Sequence, residues 1–203
     1  MTGVVLAGGR SSRMGTDKAL VRVGGRRLIE RVVETLRGLF PEVLIVANRA
    51  GRYEDLRGEV ITDLLPGKAV LGGIYTGLKV ASFPKAFFAA CDMPFLNPAL
   101  ITSLKDKAEG ADVVIPDAQG ELHPLHAIYS KACLPFIEEE IRADRLKVTG
   151  FLSHVKVRIV PEEALRPFDP DLLSLFNANT PEDLALAERL ANEWVDRQTA
   201  NHR

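Results

Sequence analysis

The chain has 203 residues, 46% hydrophobic and 26% charged, with a formal net charge of −1. That length suits one domain with a sizeable core, and the composition excludes a disordered chain. The near-neutral charge argues against wholesale nucleic-acid binding, and no apolar run reaches the ~20 residues of a membrane span. Cys91 and Cys133 are too few for a disulfide framework and have no metal-ligand spacing. The opening MTGVVLAGG lacks a charged segment followed by a long apolar one, so the expected location is the cytoplasm, with neither nucleic acid nor membrane as partner.

The first predicted element is the apolar run Val4, Val5 and Leu6, suited to a buried strand. It stops at Gly8 and Gly9, where the backbone can turn with its amides bare. Ser11, Ser12 and Thr16 then offer hydroxyl donors, while Arg10, Arg13 and Lys18 bring positive charge that an anion would compensate. With Arg22, Arg26 and Arg27 they make six basic residues against one acid, Asp17, an excess expected to serve a phosphate loop. Two common nucleotide loops are excluded by spacing. Glycines at 8, 9 and 15 do not make G-x-G-x-x-G, and Gly15 is followed by Thr16 and Asp17 instead of the Lys and Ser or Thr of a P-loop. A triphosphate fits the stretch.

Apolar residues at 28, 29, 32, 33, 36, 39 and 40 predict a helix with one buried face. EVLIVAN reads as a strand ending at Asn48, and VITD as another ending at Asp63. Pro66-Gly67 and Gly72-Gly73 punctuate the chain before a helical stretch, and KAFFAAC is a strand running into Asp92. Asn97-Pro98 caps a further helix, and ADVVIP continues the alternation. Such alternation implies an α/β fold with a mostly parallel sheet, helices on both faces, and a ligand crevice outside the carboxyl ends of the strands. Gly8, Asn48, Asp63 and Asp92 are therefore expected to converge there. Asp92 leaves a buried strand as a hard oxygen ligand, which suits Mg²⁺, an ion that takes one or two carboxylates plus substrate phosphates; Asp63 is the candidate second acid nearby.

The stretch LAGGRSSRMGTDK resembles the L-A-G-G-x-S-x-R-M-G-x-D-K signature of nucleotidyltransferases with the glycosyltransferase-A-like fold, and CDMPFL resembles their second signature. DAQGELHPLHAIYSKACLPFIEE and FDPDLLSLFNANTPEDLALAERL are similar to the closing portion of MobA-type molybdenum cofactor guanylyltransferases, so the resemblance covers nearly the whole chain. It implies a single-domain, Rossmann-like three-layer sandwich of the nucleotide-diphospho-sugar transferase fold. Within residues 1–203, about 1–95 would hold the nucleotide and about 96–203 the acceptor. The implied reaction joins GMP from GTP to the phosphate of molybdopterin cofactor and releases pyrophosphate.

By the same resemblance, Leu6, Ala7 and Gly8 hold GTP by main chain, Lys18 contacts phosphate, and Asp63 and Asn48 line the nucleotide end. Arg13, Lys18 and Asp92 are the catalytic candidates, with Asp92 as the Mg²⁺ ligand. Asn177 and Asn179 are the pterin candidates, placed just before a helix that Thr180, Pro181 and Asp183 are suited to start. Ala187, Leu190, Ala191 and Trp194 form the apolar face of that helix. GTP and molybdopterin cofactor are the small-molecule partners, and cofactor-synthesis proteins or molybdoenzymes are the implied transient ones. His123 and His126 have two readings, an acceptor-pocket wall or packed core. A phosphate nucleophile is already ionised and needs no base. Where relatives often carry Gly-Pro or Gly-Ser, this chain has Ala69-Val70, a departure that bears on how the loop meets the base. The alternatives are a cytidylyltransferase acting on the pterin, a nucleotidyltransferase acting on a sugar or isoprenoid phosphate, and a non-catalytic nucleotide-sensing chaperone.

Overall fold

Strands and helices follow one another as the hydrophobic patterning requires. The computed structural model describes residues 1–8, 18–49, 51 and 53–200, with 193–200 as helix backbone only. The phosphate-loop residues 9–17, Arg13 among them, lie outside the described residues, as does the side chain of Trp194. The elements are β1 (Thr2–Leu6), β2 (Arg22–Val23), β3 (Arg26–Arg27), α1 (Leu28–Arg37), β4 (Glu42–Ala47), β5 (Glu59–Thr62), α2 (Ala69–Val80) and β6 (Lys85–Ala90). They continue with α3 (Pro98–Asp106), β7 (Val113–Ala118), β8 (Glu121–Leu122), β9 (His126–Ser130), α4 (Leu134–Arg142), β10 (Val157–Pro161), α5 (Glu162–Leu165) and α6 (Pro181–Ala200).

The main sheet runs β10-β7-β9-β6-β1-β4-β5. Strands β6, β1, β4 and β5 are parallel, with Leu6 level with both Ala90 and Val46, and Ala47 level with Thr62. Strand β9 alone runs antiparallel to both neighbours, β6 and β7. The cause is local. Gln119 and Gly120, with φ of 57° and 76°, turn β7 back on itself into β8, and too few residues remain before β9 for the crossover that a parallel strand needs. Asp117 pairs with Leu122 and Val114 with Ile128, so β8 and β9 are one returning strand interrupted by a bulge at residues 123–125.

Helices cover both faces. Ile29, Val32 and Leu36 of α1 and Leu100 and Leu104 of α3 join Val5, Ile45 and Phe87 on one side. Leu71, Ile74 and Leu78 of α2 and Ile137 and Ile141 of α4 join Val4, Leu44 and Phe88 on the other. A smaller third core of Val23, Leu28, Phe95, Ala178, Ala187 and Ala191 fastens the β2–β3 hairpin and the start of α6 to the segment after β6. Asn97 caps α3 as its position suggests, its side chain accepting from the amides of Ala99 at 2.8 Å and Leu100 at 3.3 Å.

His126 belongs to this packed interior. It is fully buried, sits edge-on to Phe87 at 5.1 Å between ring centroids, and has no hydrogen-bond partner for either ring nitrogen among the described residues. Burial, with a smaller contribution from His123, pushes its pKa down to about 3. The folded protein therefore keeps His126 neutral where an unfolded chain takes up a proton, so stability present above the ordinary histidine pKa is lost as pH falls toward the folded value.

Two outcomes follow from this packing. A Cβ on Gly77 of α2 would lie 2.8 Å from the Phe88 ring and 2.9 Å from a Val4 methyl. The helix-propensity gain of Gly77→Ala, about 1 kcal/mol, is outweighed by overpacking of up to about 3 kcal/mol. We expect a net loss of about 1–2 kcal/mol, read as a fall in Tm of about 2–8 °C; an unchanged or higher Tm would show that the sheet gives way freely. His126→Phe keeps the ring contact and removes the titration, so between pH 7 and pH 5 it should gain about 2 kcal/mol relative to wild type in urea unfolding. Parallel pH profiles for the two proteins would contradict a buried neutral histidine.

Candidate active site

Four parallel strands release their carboxyl ends on one edge of the sheet, and hydrogen bonding carries the ladder one residue further on each side of β1. The amide of Ala7 donates to the Val46 carbonyl at 2.8 Å, that of Cys91 to the Leu6 carbonyl at 3.1 Å, and that of Asp63 to the Ala47 carbonyl at 2.9 Å. Leu6, Ala7 and Asp63 are thereby held by backbone pairing, and Gly8, Asn48 and Asp92 each follow directly on a residue so paired. At Gly8 the absence of a side chain is required. A Cβ there would stand 3.0 Å from Asn48 Oδ1, so glycine lets the Asn48 amide lie against the main chain.

A cavity of about 470 Å³ opens beside these ends, lined by Leu6, Gly8, Asn48 and Asp63 from the strand ends and by Ala69, Val70 and Gly73 from α2. Asp63 is nearly buried and braced. Its Oδ1 accepts from the Thr76 hydroxyl at 2.7 Å and the Leu65 amide at 3.0 Å, while Thr76 Oγ1 accepts from the Leu64 amide at 3.1 Å. This network ties the end of β5 to α2. Ala69, at the first position of α2, has φ of 52°, a left-handed conformation that suits glycine. The departure at Ala69-Val70 therefore places a strained backbone in the cavity wall.

Asp92 occupies the other side of the edge. Met93, Phe95 and Leu96 anchor the chain after it in the core, and the Ala178 amide donates to the Asp92 carbonyl at 2.9 Å. Its half-buried carboxyl has a pKa raised by desolvation, with Lys18 pulling in the opposite direction. Lys18 Nζ reaches Asn179, at 2.5 Å from the carbonyl oxygen and 3.3 Å from Oδ1. Asn179 is in turn fixed by the cap of α6. Asp183 Oδ2 accepts from the amides of Asn179 at 3.0 Å and Thr180 at 2.8 Å, and Thr180 Oγ1 accepts from the Asp183 amide at 3.1 Å. These amides hold the Asp183 carboxyl below its usual pKa range. Asn177 lies one turn earlier, its side-chain amide donating to the Leu175 carbonyl at 3.1 Å.

Two expectations need correction. Asp63 and Asp92 leave β5 and β6, strands separated by β4 and β1, which at about 4.8 Å per strand puts them about 14 Å apart. They cannot share one metal ion. Among the described residues no cluster of three or more His, Cys, Asp or Glu side chains forms a metal cage. The basic excess is also divided: Arg26 pairs with Glu34, Arg27 pairs with both Glu30 and Asp55, and Arg22 donates to the Gly25 carbonyl. These three arginines serve the hairpin and α1. Of the two histidines, only His123 remains near the surface. It is half-buried in the bulge between β8 and β9, with its pKa lowered by burial. Reading residue types along the sequence missed Leu146, which lines the cavity from beyond α4; a lone leucine in a charged turn carries no signal of that.

The comparisons agree with this geometry. The model of the MobA-like NTP transferase domain matches residues 3–156. A protein of Pelotomaculum thermopropionicum named "Probable molybdenum cofactor guanylyltransferase" is 43% identical over 190 residues, covering 94% of this chain and 93% of that protein. The crystal structure of Molybdopterin-guanine dinucleotide biosynthesis protein A from Archaeoglobus fulgidus has a TM-score of 0.84 and 33% identity, over 95% of this chain and 100% of that one. At 22% identity and a TM-score of 0.68, over 94% of this chain and 98% of that one, the 2-C-methyl-D-erythritol 4-phosphate cytidylyltransferase of Thermus thermophilus shares the fold. The braced Asp63 and the half-buried Asp92 thus stand at parallel strand ends of the nucleotide-diphospho-sugar transferase fold, and the chain belongs to the MobA-like NTP transferase family.

Proposed function

We propose that the chain is a molybdenum cofactor guanylyltransferase, which transfers GMP from GTP to the phosphate of molybdopterin cofactor. The observation that carries this reading is the strand edge that holds a nucleotide-sized cavity bounded by Leu6, Gly8, Asn48 and Asp63 and, three strands along, Asp92 with the charge of Lys18 near it, in a chain related over nearly its whole length to proteins of that name. GTP occupies the cavity, with residues 6–8, Asn48 and Asp63 toward its nucleoside and Lys18 and Arg13 toward its phosphates. In one domain, about 1–95 hold the nucleotide and about 96–203 present the acceptor, with Asn177 and Asn179 facing the pterin.

An oxygen of the pterin phosphate attacks the α-phosphorus in line. The new P–O bond forms as the bond to the β-phosphate breaks, and pyrophosphate leaves with the displaced electron pair. No general base is required, because the nucleophile is already ionised. Lys18 faces the negative charge that develops on the leaving group, and the α6 cap holds it there through Asn179. Asp92 suits Mg²⁺ as one hard carboxylate completed by substrate phosphates, and the ion would neutralise charge on the reacting phosphates. The burial that raises the Asp92 pKa is relieved by such a cation. We place the protein in the cytoplasm, in keeping with two free cysteines and with no described helix long and apolar enough to cross a membrane. Cofactor-synthesis proteins or molybdoenzymes are its transient partners.

Asp92→Asn removes the charge and leaves the backbone bond from Ala178 in place. We expect unchanged thermal stability and a loss of at least about 10²-fold in turnover at saturating Mg²⁺, equivalent to about 2.7 kcal/mol. Near-normal turnover would remove Asp92 from the chemistry. A site that pairs with the guanine edge leaves buried polar groups unmatched when another base enters. With molybdopterin cofactor and Mg²⁺, GTP should therefore exceed ATP, CTP and UTP by about 10²-fold in kcat/KM. A preference for CTP would replace the guanylyl assignment by the cytidylyl one.

A further inference from the structure

We infer that Leu146 forms the outer apolar wall of the nucleobase pocket and sets how tightly, and which, base is held. The inference deepens the nucleotidyltransferase reading and rests on it. Among the described residues, Leu146 is the one cavity-lining side chain from beyond β6; the others come from the ends of β1, β4 and β5 and the start of α2. It faces that cavity together with Ala69 and Val70. A purine or pyrimidine presents two flat, weakly hydrated faces and a polar edge, and apolar side chains in one cavity with the polar Asn48 and Asp63 are what such a ring needs beside it.

Leu146 is held in place by the way α4 ends. Asp144 has φ of 55°, a left-handed residue just past the helix, and its amide donates to the Ile141 carbonyl at 3.1 Å. The next residue, Arg145, donates its amide to the Glu140 carbonyl at 2.9 Å and its guanidinium to the buried Glu140 carboxylate at 2.7 Å. The turn is thereby fastened to α4, whose Ile137 and Ile141 share a core cluster with Leu71 and Ile74 of α2. Lys68, next to the cavity-lining Ala69, meets Asp144, two residues before Leu146, with Nζ 2.8 Å from Oδ1. Both partners are exposed enough for that bridge to contribute little to folding and to be screened by salt. The start of α2 and the end of α4 thus form a jaw whose apolar lining is Val70 and Leu146.

The test is equilibrium titration of the full chain with GTP, CTP and inorganic pyrophosphate, with Tm as a check on folding. Leu146→Ala should weaken GTP binding about five- to tenfold and narrow the GTP:CTP ratio, while pyrophosphate, which has no base, binds within about twofold of wild type. Leu146→Met, equally long and apolar, should restore affinity. Turnover at saturating GTP should change less than about twofold, placing the effect on KM. Asp144→Gly keeps the left-handed backbone and removes the bridge, so its smaller loss of GTP affinity, about two- to threefold at low salt, should vanish at high salt. GTP affinity within about twofold of wild type in a folded Leu146→Ala protein would overturn the inference, as would equal weakening of GTP and pyrophosphate. If wild type prefers CTP and Leu146→Ala selectively weakens CTP, the guanine assignment falls and the wall stands.

Discussion

The parallel pairing of β1 with β4 on one side and β6 on the other is the constraint on which the site depends. Leu6 stands level with Val46 and Ala90, and the next amides, those of Ala7 and Cys91, continue the same ladder. Because these strands and β5 end in step, Gly8, Asn48, Asp63 and Asp92 stand at separate points along one edge. A slip of one residue in either pairing would turn these side chains to the opposite faces. Close packing at Gly77, where Phe88 and Val4 leave no room for a methyl group, resists that slip.

The two carboxylates at this edge are treated differently. Asp63 receives a hydroxyl and an amide, and so acts as a brace between β5 and α2 with one oxygen already committed. Asp92 is shifted chiefly by desolvation, which its own backbone amide and the charge of Lys18 offset in part. Desolvation disfavours its charged form, so a cation or an anionic ligand carrying one lowers the energy of the site when it arrives. The same segment is locked to the C-terminal part of the chain through the Ala178 amide and the Phe95–Ala178–Ala187 core. Lys18 and Asn179, far apart in sequence, are brought together by that core and by the cap at Asp183.

Strand ends were legible because buried strands read as apolar runs, and the polar residue that stops each run is visible: Gly8 after Leu6, Asn48 after Ala47, Asp63 after Thr62, Asp92 after Cys91. The cap of α6 was legible for the same local reason, since Thr180 and Asp183 have the spacing that reciprocal capping needs. Arg26 and Arg27 were misleading, because their acids, Glu34, Glu30 and Asp55, come to them only when α1 and the segment before β5 have packed. His126 had two readings in the sequence, pocket wall or packed core, and the antiparallel register opposite Ala89, with its full burial, decides for the core.

By itself, the sequence determined the α/β alternation, the mostly parallel sheet and the helix caps, since these rest on periodicity and on residue types within a few positions of one another, while its long motifs carried the resemblance to the family. Only the tertiary structure decided that Asp63 and Asp92 stand three strands apart, that β9 runs backwards after a bulge, that Lys18 meets Asn179, and that Leu146 lines the same cavity as Asn48 and Asp63. The physical reason is sequence separation. Strand order and the packing of α4 on α2 bring together groups that no local pattern relates, and each carboxylate takes its role from the neighbours that packing supplies.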